Sequence, residues 1–296
     1  MRLILLFCFI LFTLIYLAYP RVINLDYSLS SPSPTPTTIP SVTIGLVGDL
    51  GLGRHITSTA RAKNDFSWSF QEISPWLFQN DFTLANLESP IIEDCPLGLT
   101  GTFTFCGDTR FLSQLSPFIL NLNNNHILNY GQSGLTQTLD FLPQSFYSDF
   151  YTKTINDISF GFLGFDFISY PNLNQSDIIQ TIKQYDSQVD WLIISIHWGN
   201  EYLPQAEKWR VTLAHNMVDA GADIIHGHHP HVWQGQEDYK DKKIYYSFGN
   251  FIFDQSWSYE TSHSQIARLT LTKDKIIQQE LFPIEIKFNS QPVLMP

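Results

Sequence analysis

The sequence predicts an α/β fold for a single domain running from Val42 to Pro296, and three observations predict it. Apolar runs of strand length alternate with stretches of helical spacing through most of this span. At 44% hydrophobic and 15% aromatic residues, the composition suits a globular chain with a core, not a disordered one. Neither an internal repeat nor a second linker breaks the alternation. The 17 basic against 28 acidic residues, a net charge of −11, argue against a nucleic-acid partner, which wants a basic face. The same balance is compatible with a metal site built from carboxylates.

The first 27 residues stand apart from that domain. Leu3–Tyr19 (LILLFCFILFTLIYLAY) is uncharged, follows Arg2, and would span roughly 25 Å as a helix, enough to cross a bilayer. Its end, Leu17-Ala18-Tyr19-Pro20, lacks the small residues of a cleavage site. The expectation is therefore an uncleaved signal anchor, a single transmembrane helix over residues 1–27, with a cleaved signal as the alternative. Residues 28–41 (SLSSPSPTPTTIPS) form a Pro/Ser/Thr linker that would hold the domain away from the cytoplasmic membrane. Cys95 and Cys106 are the only cysteines beyond the anchor, at either end of CPLGLTGTFTFC. They are expected to form a disulfide, which fits an extracytoplasmic location. The alternative, two unrelated buried thiols, turns on their Cα separation.

From Val42 the elements follow in order. Val42–Val47 reads as a strand ending at Gly48-Asp49, and Ser67–Asn80 as a helix broken near Pro75. Phe82–Leu87 is a strand ending at Glu88, and Phe118–Leu122 a strand ending at Asn123-Asn124-Asn125-His126. A helix is expected over Gly131–Phe146, a strand over Phe160–Phe165 and a helix over Asp177–Ser187. Trp191–Ile196 is a continuous apolar strand leading into His197. Glu207–Ala220 is a helix stopped by Gly221, followed by a strand at Asp223–Ile225. Lys243–Phe248 and Ala267–Thr272 alternate like half-buried strands.

The stretch Asp223–Asn250 is the most informative. Four of the nine histidines, His226, His228, His229 and His231, lie around Pro230. Proline pushes the preceding residue out of the helical region, so an extended segment is expected, with His229 and His231 on one side. Two imidazoles at a strand end can share a zinc, iron, manganese or nickel ion. Asp49, Glu88, Asn125-His126, His197 and His229/His231 each follow an apolar run at its carboxyl end, where ligands bind in α/β sheets. Singly, each has a duller explanation as a turn, a helix cap or a core histidine. Together they form a set that chance accounts for poorly.

The motifs Gly48-Asp49, NLESP (Asn86–Pro90), NNH (Asn124–His126), HWGNEY (His197–Tyr202), GADII (Gly221–Ile225), GHHPHV (Gly227–Val232) and YSFGNFIFD (Tyr246–Asp254) occur in this order. In this the chain resembles the bacterial capsule synthesis protein CapA family, linked to poly-γ-glutamate production, which is itself similar to calcineurin-like metallophosphoesterases. The resemblance covers about Val42–Asp254 and implies a four-layer α/β/β/α sandwich with a site for one or two divalent ions (Mn, Fe or Zn). Glu88 would bridge two ions. Asp49 and His231 would bind the first; Asn125, His197 and His229 the second. His126 would be the catalytic residue beside them, protonating the leaving oxygen or steadying the transition state. Glu201 and Asn250 would line the crevice, and Arg54 would take an anionic substrate group.

Three positions depart from the pattern. Leu50 and Gly51 follow Asp49 where the phosphoesterases read D-x-H, so the first ion has one ligand fewer. A glutamate stands at the bridging position, and Asn129 stands where the family has an acid behind the histidine.

Two functions follow from the resemblance. One is a membrane-anchored hydrolase using a metal-activated water, cutting a phosphoester or a bond in an anionic cell-surface polymer. The other is a non-catalytic accessory that binds polymer through cations during capsule assembly or export, beside other capsule-synthesis proteins. A serine nucleophile is a weaker idea, since no G-x-S-x-G occurs.

Overall fold

Two β-sheets packed face to face, each with helices on its outer side, make up the domain. The computed structural model describes residues 39–96 and 102–296, and Ile39–Pro296 forms one compact unit. The expected membrane segment Leu3–Tyr19 and the linker up to Thr38 lie outside the described residues. Among the described residues no helix is long and apolar enough to cross a membrane.

The first sheet is built around β1 (Val42–Leu50), buried almost throughout because both its faces are covered. A helix, α1 (Arg54–Lys63), follows, then a short α2 (Ser74–Leu77) and β2 (Phe82–Leu87) parallel to β1. A small parallel pair, β3 (Ile91–Ile92) and β4 (Gly107–Asp108), sits apart. Next come β5 (Phe118–Asn121), α3 (Gly131–Phe141) and the two-residue β6 (Ser145–Phe146).

The second sheet begins with the hairpin β7 (Tyr151–Ile155) and β8 (Ile158–Asp166). It continues through α4 (Gln175–Tyr185), β9 (Trp191–His197), α5 (Lys208–Asp219), β10 (Ile224–His228), β11 (Gln236–Tyr239) and β12 (Lys242–Tyr245). The chain then returns to the first sheet with β13 (Asn250–Ile252), α6 (Tyr259–Ser262), β14 (His263–Leu271), β15 (Ile276–Lys287) and β16 (Gln291–Leu294). The sheet orders are β16-β15-β14-β1-β2-β5-β6, with β13 also on β1, and β11-β12-β10-β9-β8-β7.

Three apolar clusters bind the layers. Ile44, Leu46, Phe82, Leu84, Phe160, Phe162 and Ile193 fill the space between the sheets. Val47, Leu50, Ile56, Trp76 and Leu135 pack the first sheet against its helices, and Ile178, Ile182, Ile194, Leu213 and Met217 do the same for the second. Alternate residues of one strand thus serve two different cores, as the period-2 geometry of a strand requires.

Several expected elements differ. The helix expected to reach Phe146 ends at Phe141, because Pro143 brings no N–H and the chain passes into β6. Ser67–Asn80 holds a 3-10 turn (Trp68–Phe70) and α2, not a longer helix. The strand expected over Lys243–Phe248 stops at Tyr245, where the chain begins to turn toward Gly249 (φ +67°). Helix α1 and strands β7, β11, β15 and β16 were not expected at all. The turn of the β7–β8 hairpin places Asn156 and Asp157 at φ 50° and 61°, the left-handed pair typical of tight hairpins.

Candidate metal centre

Strand register assembles the site as two polar rows. In the first sheet Asn250, Asp49, Asn86 and Asn121 lie side by side across β13, β1, β2 and β5. In the second, Asp166, His197 and His228 lie side by side across β8, β9 and β10. Except for Asn250, which opens β13, these residues stand at or next to the carboxyl ends of parallel strands, and the two rows meet across the sandwich. His228 Nδ1 is 3.3 Å from Asp49 Oδ1, and His197 Nδ1 is 3.3 Å from Asn86 Nδ2.

Asp49 and Glu88 are fully buried. Asn86 donates to one oxygen of each, Asp49 Oδ1 at 2.9 Å and Glu88 Oε1 at 3.0 Å. Of the other oxygens, Glu88 Oε2 has no hydrogen-bond donor, and Asp49 Oδ2 has only His231 Nδ1 near it, at 3.1 Å and outside hydrogen-bond geometry. His231 completes the group, its Nε2 4.0 Å from Glu88 Oε2. Ligand atoms of Asp49, Glu88 and His231 lie within 4.8 Å of one another. Burial pushes Glu88 well up, and the charge of Asp49 adds to this. Burial also opposes the ionisation of Asp49, but His228 and His231 beside it hold its carboxyl well below the usual range. Two buried carboxylates this close cannot both ionise without a cation, so the residues present fit a divalent ion.

The remaining expected ligands converge on the same place. His197 Nε2 is 2.9 Å from Asn125 Oδ1, its Nδ1 is 3.7 Å from Glu88 Oε1, and its ring lies 4.7 Å from that of His229. Burial lowers both histidines, His229 to about 3, so they are neutral imidazoles of the kind that ligate metals. The second group of ligand atoms within 4.8 Å is Glu201, His229 and His231, with Glu201 on the exposed side. His229 and His231 do not reach the site as an extended pair. Their φ values are 93° and 58°, a left-handed conformation that β-strands exclude and that is found at functional sites. The extended i, i+2 pair is instead His226 and His228 within β10.

His126 stacks on Phe105 at 4.1 Å, with Nδ1 3.3 Å from Asn129 Oδ1 and Nε2 3.3 Å from Asn125 Nδ2. Burial pushes it down to about 4. Phe105 adjoins the Cys95–Cys106 bridge, which is formed, with a Cα separation of 5.7 Å. The backbone N–H of Phe105 donates to the same Asn129 oxygen at 2.7 Å.

Two expected substrate residues are placed differently. Asn250 is buried with both ends of its amide engaged: Oδ1 at 3.0 Å from His231 Nδ1, and Nδ2 donating to the Thr261 carbonyl at 3.0 Å. It orients His231 instead of facing a crevice. Arg54 is paired with Asp254 and lies 4.4 Å over the Phe105 ring, so its charge is already offset by a carboxylate. The sequence alone assigned no role at the centre to Asn86, Asn124, His226 or His228. Asn124 donates to Asn86 Oδ1 at 3.1 Å and to the Leu87 carbonyl at 2.8 Å. His228 Nε2 is 2.8 Å from His226 Nδ1, and His226 Nε2 is 2.8 Å from the Val47 carbonyl. Asn86 and Asn124 stood inside quoted motifs, but their roles depend on cross-strand register, which no local pattern carries.

The sequence matches the family described as bacterial capsule synthesis protein PGA_cap over residues 43–146 and 149–255. It is 31% identical over 272 residues to the PGA biosynthesis protein CapA of Bacillus subtilis (strain 168), covering 81% of this chain and 70% of that protein. It is 28% identical over 286 residues to the capsule biosynthesis protein CapA of Bacillus anthracis, covering 84% and 68%. Among solved structures, a hypothetical protein from Thermus thermophilus superposes with a TM-score of 0.54 at 12% identity, covering 82% of this chain and 99% of that one. That likeness shows the fold alone. With the family match extending over most of the sandwich and every strand end that supplies the centre, the chain belongs to the bacterial capsule synthesis protein PGA_cap family.

Proposed function

We propose that this chain is a membrane-anchored, extracytoplasmic hydrolase of the metallophosphoesterase type, acting in capsule or poly-γ-glutamate biosynthesis on a phosphoester or a bond in a surface polymer. The observation that carries this is the buried group Asp49, Glu88 and His231, with ligand atoms within 4.8 Å and a Glu88 oxygen that no donor meets. Divalent ions held by such a set polarise a water and an ester oxygen and can clamp a phosphoryl group.

The chain's own residues do the rest. Asn86 pins one oxygen of each carboxylate, so Asp49 Oδ2 and Glu88 Oε2 are the atoms that would take an ion. Asn250 accepts from His231 Nδ1, which fixes the tautomer and leaves Nε2 as the ligand atom. Asn125, His197, His229 and Glu201 surround the neighbouring position. His126, neutral above about pH 4, turns Nδ1 to Asn129 and keeps Nε2 as a proton acceptor. Donation to a leaving oxygen then requires the negative charge of a bound substrate to raise it. Placement outside the membrane is supported by the apolar Leu3–Tyr19 run, the Pro/Ser/Thr linker and the Cys95–Cys106 disulfide.

The test is metal analysis of the purified chain coupled to hydrolysis of bis(p-nitrophenyl) phosphate with and without manganese. His126→Ala is expected to keep its metal and lose turnover. A second reading, cation-dependent polymer binding without turnover, is favoured by Glu201, which brings a carboxylate to the open side of His229 and His231. An ion there would keep coordination positions open to polymer carboxylates. Metal retained with no turnover on phosphoesters or surface polymer decides for that reading.

A further inference from the structure

Beside the metal centre a cavity of about 340 Å³ opens against Asn124, Tyr147, Asp166, Ser169 and Tyr170. It is at the small end of ligand-binding clefts. Asn124 belongs to both places, since its amide also donates to Asn86 Oδ1. Asp166 closes β8 in register with His197, so the cavity wall and the centre are formed by the same strand ends.

The polar groups of the cavity are unlike those of the centre. Asp166 is 6% exposed, and its Oδ1 accepts from the backbone N–H groups of Ile168 at 2.8 Å and Ser169 at 3.1 Å. Among the described residues no side chain or backbone group donates to its other oxygen. Tyr147 lines the cavity beside Ser148, Asp166 and Tyr170; burial, then Tyr170 and Asp166, pushes its pKa up, with Ser148 opposing, so it stays an O–H donor. No lysine or arginine lines the space.

These features select a ligand class. An anionic group would meet the Asp166 carboxylate with no cation to offset it. An ammonium ion would satisfy Asp166 but leave the phenol and serine donors without acceptors. Hydroxyl groups both donate and accept, and Leu128, Leu173 and the tyrosine rings offer apolar walls to C–H faces. We infer that the cavity binds a neutral, hydroxyl-bearing moiety, a sugar or polyol, as the part of the substrate next to the bond cut at the centre. The word substrate rests on the hydrolase reading above; the binding does not. A polyglutamate chain, with a carboxylate on every residue, does not fit this cavity. The part of a surface polymer that enters it is then a neutral attachment or carrier group.

The test compares three esters with one leaving group: methyl, glyceryl and glucosyl p-nitrophenyl phosphate, with the metal-loaded full chain in detergent. The glyceryl and glucosyl arms separate a polyol from a sugar. The expected KM for one or both is about tenfold below that of the methyl ester, the worth of one charge-assisted hydrogen bond. Asp166→Asn keeps an oxygen for the two backbone donors and removes the charge, and Tyr170→Phe removes an exposed hydroxyl. Each is expected to bring the ratio of KM values toward one, and Tyr170→Phe, outside the polar rows of the centre, to do so with metal content unchanged. Equal KM values for all three esters in the wild type, or a ratio that survives both variants, overturns the inference. If no ester is hydrolysed, saturation-transfer NMR with methyl glucoside, glycerol and a γ-glutamyl tripeptide on the zinc-loaded chain takes over. Sugar or glycerol binding lost in Tyr170→Phe then keeps the cavity and sinks only the hydrolase reading. Binding of the tripeptide alone overturns the cavity assignment.

Discussion

Asn250 shows how one amide acts on the centre without touching an ion. Its Oδ1 accepts a hydrogen bond from His231 Nδ1, and its Nδ2 donates to the Thr261 carbonyl. Asn250→Ala is therefore expected to weaken metal binding by about 10- to 100-fold, the range for losing a partner that orients a ligand. Chelator competition measures this, and an unchanged affinity would remove Asn250 from the positioning role. A second consequence follows from the buried imidazoles. Burial takes His126 to about 4 and His229 to about 3, both below the unfolded value of 6.5. The folded chain holds fewer protons there than the unfolded one, so their contribution is complete above about pH 6.5 and fades as pH falls through 4. At about 1.4 kcal/mol per pH unit, His126 alone accounts for about 3 kcal/mol. Glu88, pushed up, acts in the opposite sense, so the check is by difference. Urea denaturation of metal-stripped protein should show a smaller loss of stability between pH 6.5 and 4 in His126→Ala than in the wild type, and equal losses would contradict the burial of that ring.

At the scale of elements, β1 is held by close approach on one side. A Cβ on Gly48 would lie 1.9 Å from the Gly249 carbonyl oxygen, in the turn that precedes Asn250. Gly48→Ala should cost about 1–3 kcal/mol or more, because backbone must move, and should shift Asp49 off its hydrogen bonds. Thermal melts with metal titration test both parts; unchanged melting and metal affinity would show that the turn yields freely. The disulfide acts on the site from another element. Cys106 is joined to Phe105, whose ring lies against His126 and whose N–H meets Asn129. Cys95→Ser with Cys106→Ser should cost about 2–4 kcal/mol of stability. It should also lower turnover more than metal content, since His126 loses its support while the ligands do not. A parallel fall in both would place the bridge nearer the ligands than to His126.

For the whole molecule, the two sheets share the site, so an ion bound there ties them together. At a free metal concentration of about 100 times Kd, binding stabilises the fold by about 2.7 kcal/mol. For a domain this size that corresponds to a melting temperature about 5–10 °C higher than in chelator. Calorimetry with and without EDTA checks it, and no shift would mean that the centre binds no ion in the folded state. Asp49→Asn should remove most of this shift.

Much of this protein could be read from the residues alone. Apolar runs such as Trp191–Ile196 marked buried strands, since a strand covered on both faces must be apolar throughout. Asp49, Glu88, Asn125, His197, His229 and His231 each stood at the end of such a run, and the fold brings all of them together. What the order of residues did not contain was pairing. Asn86 lies beside Asp49, and His228 beside His197, only because strands distant in sequence adopt one register. The same holds for Arg54, whose partner Asp254 is 200 residues away. Local patterns report burial and backbone preference, which act over a few residues. Hydrogen-bond partners across a sandwich are settled by packing of the whole chain, so only the tertiary structure decided which polar groups hold the centre and which remain free to meet a ligand.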